Sequence, residues 1–170
     1  MILWCPPKTH DFTHVSTDTT EARYHSIAND VAEVALDPEE SPIFGGEDAR
    51  VRTGLWLLTI ASFESGGFAE KIDRDVNGSI KGSGDSGQAH CLMQVHLPYA
   101  KMVVDRKTCF RAGLKALHDS FDHCHSMNAY VSGSCEDPRG LAKIYMRRAT
   151  TYYKNHSFLV EQEQELTRNF

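Results

Sequence analysis

The feature that most constrains the fold is an apolar segment over residues 49–63, which reads ARVRTGLWLLTIASF. It is long enough for a helix, and its second half is apolar at almost every position, so such a helix would be buried on most sides. Glu64 and Ser65 follow, and then two glycines, Gly66 and Gly67, which are typical of a helix end. The sequence therefore predicts a largely buried helix with a carboxyl group at its C-terminal end.

Three further helices are predicted over residues 19–37, 109–123 and 138–153, and residues 92–102 could restart a helix. Residues 1–18 are rich in Pro, Thr and His and predict an extended arm. From residue 73 to 89, Asp, Asn, Ser, Lys and Gly dominate, and Val76 and Ile80 are the only large apolar residues. This composition favours an irregular β-hairpin or loop. We expect a mainly α (α+β) fold in which helices carry a small irregular β-hairpin insert.

Length and composition indicate one globular domain, because 170 residues can bury a sizeable core and 41% hydrophobic content is ordinary. No apolar run approaches the roughly 18 residues of a membrane helix. The N-terminal MILWCPPKTH has neither the basic region nor the apolar length of a signal peptide. Of five cysteines, Cys109, Cys124 and Cys135 could supply one disulfide, with the pairing open, or all five could be reduced.

Charge is distributed unevenly along the chain. Residues 1–50 hold 3 basic and 10 acidic side chains, whereas residues 101–154 hold 10 basic and 5 acidic ones. A basic half on a chain of net charge −5 suggests an anionic polymer as partner. Solvated helix faces explain the same pattern equally well.

Glu64 is the sharpest candidate for catalysis. A carboxyl group set against apolar walls at a helix C-terminus has its charged form disfavoured by desolvation and by the helix dipole. Such a group can stay protonated near neutral pH and act as a general acid. Glycoside hydrolysis generally uses a second carboxylate, and Asp73, Asp75 and Asp85 all follow Glu64 in the glycine-rich segment. A solvated glutamate and ordinary turn aspartates are the alternative interpretation.

Other chemistries find less support. His123, Cys124 and His125, with Cys109 and Cys135, match no standard zinc spacing. The GDSG tetrapeptide occurs around the nucleophile of trypsin-like proteases, but those are all-β proteins and this chain is predicted helical. No phosphate-binding or dinucleotide-binding fingerprint is present. We therefore expect neither a metal nor a cofactor.

Three blocks resemble the goose-type lysozymes and the soluble lytic transglycosylases. They are ASFESGGF, GSGDSGQAHCLMQVH and NAYVSG, and their order and separations are similar to those of the family. The resemblance covers roughly residues 50–153. It implies a lysozyme-like fold whose hairpin insert lines a substrate cleft. It also implies a division into an N-terminal arm and helix, residues 1–48, packed on a catalytic region, residues 49–170, within a single domain.

The resemblance also implies roles for individual residues. Glu64 would be the proton donor, and Gln94 and Tyr130 would shape the cleft and hydrogen-bond the sugar or the glutamate. Asp85 would position a hydrolytic water, with Asp75 as the weaker candidate. The residues next to these motif positions are further candidates for contact with the sugar: Ser65, Met93 and His90.

This chain departs from the family pattern at two places. Ala89, His90 and Cys91 replace a glycine-containing approach to the LMQV segment. Val131 stands where the family often has an asparagine. The first departure concerns how closely the backbone meets the sugar, and the second removes one expected sugar contact.

The function implied is cleavage of peptidoglycan at the β-1,4 bond between N-acetylmuramic acid and N-acetylglucosamine, either by hydrolysis or by formation of an anhydro-sugar. The expected partner is the peptidoglycan glycan strand, and no nucleic acid is expected to bind. The enzyme is expected to be a monomer without a membrane span. The expected location is extracellular, in the cell wall or in the periplasm, and a phage-encoded or virion-associated enzyme fits equally. The alternative is a non-catalytic module of similar fold that binds cell wall or chitin.

Overall fold

The computed structural model describes residues 17–73, 84–151 and residue 154, and this part of the chain is mainly helical. The helices are α1 (Thr17–Leu36), α2 (Ala49–Glu64), α3 (Glu70–Asp73), α4 (Arg106–Cys124), α5 (Asn128–Ser132) and α6 over residues 141–151. Two 3₁₀ turns cover Asp85–Gly87 and Tyr99–Met102. The prediction of a mainly helical fold is confirmed.

Helix α2 lies at the centre of the core, as its sequence predicts. Residues 56–61 are all buried, and six consecutive residues point to every side of a helix. Helices α1 and α4 pack against α2 and against each other. Their buried apolar residues recur at helical spacing, at Ile27, Val31 and Val34 in α1 and at Phe110, Leu114 and Leu117 in α4.

Helix α4 begins and ends with defined caps. The Asp105 side chain accepts a hydrogen bond from the backbone N–H of Thr108, and the Thr108 hydroxyl accepts one from the backbone N–H of Asp105. At the other end, His125 takes a left-handed conformation with φ +53°. The chain then turns into α5, a short helix that lies outside the helices predicted from the sequence.

Ion pairs across the α1–α4 interface account for much of the uneven charge. Three cations at the start of α4 contact carboxylates of α1, of the loop after it and of α3. The pairs are Arg106 with Asp30 and Asp73, Lys107 with Glu33, and Arg111 with Asp37 and Glu40. The acidic N-terminal part of the chain therefore neutralises a good share of the basic C-terminal part. Neither an anionic partner nor isolated solvated faces is needed for those charges.

The predicted β-hairpin insert is not shown. Within residues 84–96 the only β pairing is two isolated bridges, Gly84 with Ala89 and His90 with Val95. The remainder of the predicted hairpin, over 74–83, lies outside the described residues. The helix that could restart over 92–102 does not form, because Gln94 has φ +47°, outside the right-handed helical region. Turns and one 3₁₀ turn occupy this stretch instead.

Two disulfides join the elements around this region. Cys91 pairs with Cys109 and Cys124 with Cys135, whereas the sequence analysis proposed at most one bond. Cys5 lies outside the described residues. Disulfides persist in oxidising environments, so these two are compatible with an extracellular or periplasmic location. Among the described helices, none has the length and apolar character to cross a membrane.

The N-terminal part of the chain is described from residue 17 onwards, so the arm predicted for residues 1–18 lies almost wholly outside the described residues. Residues 17 and 18 already belong to α1. Because α1 packs on α2 and α4, it forms one body with the region after residue 48. The boundary at residue 48 stays a prediction.

Candidate active site

Glu64 is the last residue of α2 and is half-buried. Its Oε1 accepts a hydrogen bond of 2.9 Å from the hydroxyl of Tyr145. Burial raises the pKa of Glu64 above its ordinary value, and the tyrosine hydrogen bond opposes this with a smaller effect. The net shift is toward the protonated form, which is the direction expected for a group that donates a proton.

Tyr145 comes from α6 and was not singled out in the sequence. Its ring stacks on Phe63, with centroids 4.6 Å apart and planes 21° apart. The Arg148 guanidinium lies 4.1 Å over the Phe63 ring. Burial and the nearby Glu64 carboxyl raise the pKa of Tyr145, so this hydroxyl stays protonated and able to donate. Phe63 therefore orients the tyrosine that holds the carboxyl.

Tyr130 projects from α5 toward the same region. Its hydroxyl donates a 2.5 Å hydrogen bond to the backbone carbonyl of Met93, and its backbone N–H donates to the Ser120 hydroxyl. Burial raises the pKa of Tyr130 well above its ordinary value, and electrostatic interaction with Glu64 and Tyr145 adds to this effect. The hydroxyl donates to the Met93 carbonyl and not to Glu64, and its contact with a sugar stays a prediction. Tyr130 instead connects α5 to the LMQV turn beside Glu64.

Gln94 sits at a turn with left-handed backbone conformation, and its Nε2 donates a 2.8 Å hydrogen bond to the carbonyl of Cys91. Its Oε1 packs directly against Gly84. A Cβ added at Gly84 would lie 2.0 Å from that oxygen, so any larger residue would displace the amide. The glycine at the start of the described GDSG turn therefore allows the close approach that the amide needs.

A groove of about 700 Å³ runs along α4 and α5. Three of the predicted residues line it, Asp85, Gln94 and Tyr130. Its other polar side chains are those of Ser120 and Ser132 and of His96, Tyr99, Asp119, His123 and Arg139. Glu64 is not among the lining residues, although it contributes to the raised pKa of Tyr130, which does line the groove.

The candidate second carboxylates differ sharply in environment. Asp85 lines the groove with its side chain 68% exposed, and its Oδ2 lies 3.6 Å from Nε2 of His96. Asp73 is buried and pairs with Arg106, so it supports the fold and cannot meet a substrate. Asp75 lies outside the described residues. Asp85 is thus the aspartate of the three that is exposed and lines a groove within the described chain.

Two of the predicted sugar contacts turn out to be core residues. The Ser65 hydroxyl is buried and donates to the carbonyl of Ala61 while accepting from the backbone N–H of Phe68. The Met93 side chain is fully buried against Gly113. Contact of these side chains with a sugar is therefore wrong, and their role is to shape the turns after Glu64 and before Gln94.

His90 is half-buried and exchanges two backbone hydrogen bonds with Val95. It does not line the groove. Cys91 beside it is fully buried and bonded to Cys109. His90 and Cys91 thus close a tight turn and tie it to α4.

Helix α1 holds the loop that follows Glu64. The Tyr24 hydroxyl donates to the carbonyl of Gly67, and Arg23 donates to the carbonyl of Phe68 at 2.7 Å. Phe68 itself is buried with φ +61°. Residues before 50, which match no motif, therefore fix the position of the segment leaving the candidate acid.

The histidine and cysteine cluster weighed as a zinc site is explained by disulfide formation. Atoms of His123, Cys124 and Cys135 lie within 4.8 Å of one another. The two sulfurs are bonded to each other, so they cannot act as thiolate ligands. This disulfide brackets α5, and Asn128 adds a hydrogen bond of 2.7 Å to the carbonyl of Cys135. The cluster therefore secures Tyr130 on the wall of the groove.

No family model, curated protein or solved structure matches this chain. The likeness to goose-type lysozymes rests on the three sequence blocks alone.

Proposed function

We propose that this protein cleaves peptidoglycan glycan strands at the β-1,4 bond between N-acetylmuramic acid and N-acetylglucosamine, with Glu64 as general acid. The observation that carries the proposal is the environment of this carboxyl. It lies half-buried at the end of an apolar helix, burial raises its pKa, and Tyr145 holds one oxygen by a hydrogen bond. A protonated, oriented carboxyl is what glycosidic bond cleavage requires on the leaving-group side.

In this proposal Glu64 gives its proton to the glycosidic oxygen while the bond to the anomeric carbon breaks. The Tyr145 hydroxyl, which stays protonated, then stabilises the carboxylate that is left. Tyr145 is a positioning residue for the acid. Tyr130 and Gln94 shape the adjoining groove through their backbone contacts.

Two fates remain open for the oxocarbenium-like centre. If Asp85 orients a water from the groove, the product is a hydrolysed sugar with inverted configuration. If no base holds a water, the 6-hydroxyl of the muramic residue closes on the anomeric carbon and Glu64 takes up its proton. Mass spectrometry of the released muropeptides distinguishes these outcomes by the water that the anhydro-sugar lacks.

The test of the proposal replaces Glu64 by Gln, which keeps the shape and the acceptor for Tyr145 but removes the proton. We expect clearing of purified cell walls to fall by about 10²- to 10⁴-fold, the usual contribution of a general acid. The matched control is Glu47→Gln, at an exposed glutamate remote from Tyr145 in sequence, which should clear walls at the wild-type rate. Unchanged clearing by E64Q would sink the proposal. A wild-type protein that binds walls without releasing fragments would favour the non-catalytic binding module.

A further inference from the structure

Arg139 stands out among the charged groups of the groove. It is exposed, lies in the turn just before α6 and lines the groove together with Tyr130 and Ser132. The turn is firmly held, because the carboxylate of Asp137 accepts hydrogen bonds from the backbone N–H groups of Leu141 and Ala142. The guanidinium therefore projects from a fixed backbone.

The two carboxylates that line the groove each contact another side chain. Asp85 faces His96 at 3.6 Å, and Asp119 accepts a 2.8 Å hydrogen bond from Tyr99 and a contact from Lys115. Arg139 forms no ion pair within the part of the chain that the structure describes. The nearby Asp137 is engaged in capping α6. A groove cation without a protein counter-charge is suited to an anionic group on a ligand.

Arg139 also lies near the candidate acid. Its charge lowers the pKa of Tyr145, against the larger effects of burial and Glu64, and Arg148 acts in the same direction. Arg139 therefore lines the groove and also acts electrostatically on the partner of the candidate acid.

We propose that Arg139 is a specificity-determining residue that binds a carboxylate on the glycan and so selects carboxylated strands over neutral ones. This inference rests on the proposed function, since it takes the groove to hold a polysaccharide. A guanidinium can bind a carboxylate through two parallel hydrogen bonds. Muramic residues carry such a group either on their lactyl ether, where no peptide is attached, or on the attached peptide. N-acetylglucosamine polymers carry none.

The experiment measures binding by calorimetry in the Glu64→Gln background, so that no ligand is cleaved. Three ligands of equal sugar number are compared: a neutral chito-oligosaccharide, a peptide-free peptidoglycan fragment with lactyl carboxylates, and a peptide-bearing fragment. The variants are Arg139→Gln, Arg139→Lys and, as the matched control, Arg147→Gln, at an exposed arginine of α6 that does not line the groove. Thermal melting verifies that each variant is folded.

We expect R139Q to weaken binding of carboxylated fragments by roughly 3- to 10-fold, a range set by the exposure of the site. Binding of the neutral oligosaccharide should change by less than about twofold, R139K should retain part of the affinity, and R147Q should retain all of it. A loss only with the peptide-free fragment identifies the lactyl carboxylate, and a loss only with the peptide-bearing fragment identifies a carboxylate of the peptide. A loss with both fragments shows that Arg139 binds either carboxylate.

Equal losses on neutral and carboxylated ligands, no loss on either, or no measurable binding of any fragment would overturn the assignment of Arg139. The proposed function has a separate test. If E64Q clears walls as well as the wild type but R139Q still loses carboxylated ligands selectively, the acid is misassigned and the carboxylate subsite stands.

Discussion

Two opposing effects act on the Glu64 carboxyl, and the larger one sets the direction in which its pKa shifts. Burial favours the neutral acid, while the Tyr145 hydroxyl donates to an oxygen and favours the charged form. Burial is the larger effect, so the pKa is raised. The apolar helix before Glu64 predicts the first effect. The second was not predictable, because Tyr145 lies 81 residues away and only the folded chain brings α6 to the end of α2.

Replacing Tyr145 by Phe tests this balance. The phenyl ring can still stack on Phe63, but the hydrogen bond that lowers the pKa of Glu64 is lost. The pKa of Glu64 should therefore rise further, and the alkaline limb of the pH–rate profile should move to higher pH. The rate at the optimum should fall by roughly 10-fold, because the carboxylate loses a charge-assisted hydrogen bond.

The matched control for Y145F is Tyr24→Phe, which removes a hydroxyl that donates to the Gly67 carbonyl instead of to a carboxyl. It should lose some stability and leave the alkaline limb of the profile in place. A limb in Y145F that stays put or moves to lower pH contradicts the pairing of Tyr145 with Glu64.

The helices follow the apolar periodicity of the sequence closely, whereas the turns between them do not. Helix α2 was predicted over 49–63 and spans Ala49–Glu64, because few alternatives bury so continuous an apolar run. Residues 92–102 failed as a helix, since Cys91 is anchored by a disulfide and Cys91 and Gln94 adopt positive φ. The disulfide partner, Cys109, lies on α4, so no local pattern near residue 92 reveals that constraint.

Gly113 shows how closely the LMQV turn packs on α4. A Cβ at Gly113 would lie 2.4 Å from Cε of Met93, and both residues are fully enclosed. We expect Gly113→Ala to lower the free energy of unfolding by about 1–2 kcal/mol, because overpacking outweighs the better helix propensity of alanine. Urea denaturation of the variant and the wild type measures this difference in the free energy of unfolding.

The control for G113A is Gly45→Ala, where an added Cβ meets no atom within 4 Å, and its effect should be within about 0.5 kcal/mol of zero. Because Tyr130 donates to the Met93 carbonyl, G113A should also reduce wall clearing. A G113A protein as stable as wild type would show that Met93 can move away without cost.

At the scale of the whole molecule, ion pairs within the fold account for part of the uneven charge of the chain. The sequence showed the imbalance but offered only a partner or solvated faces as explanations, since ion pairs 70 or more residues apart leave no local signal. Arg106 is the centre of this pairing. It contacts Asp73 and Asp30, each through hydrogen bonds of 2.7 Å, and also donates to the Ser26 hydroxyl. One side chain thereby joins α1, α3 and α4.

The burial of Asp73 determines what loss of Arg106 should do. The Asp73 side chain is 5% exposed, so Arg106→Met would leave a buried carboxylate with only the more distant Arg23, whose NH1 lies 3.5 Å away. We expect R106M to lower the free energy of unfolding by about 3–5 kcal/mol, as when one partner of a buried pair is removed. Lys107 lies on the same helix as Arg106 and forms an exposed ion pair with Glu33 of α1. Lys107→Met breaks that pair and should lower the free energy of unfolding by at most about 1 kcal/mol. Urea denaturation of both variants at neutral pH compares them directly. Adding Asp73→Asn to R106M should recover part of the lost free energy of unfolding, because the amide needs no counter-charge. If R106M and K107M lowered the free energy of unfolding equally, the Asp73 carboxylate would be stabilised without Arg106.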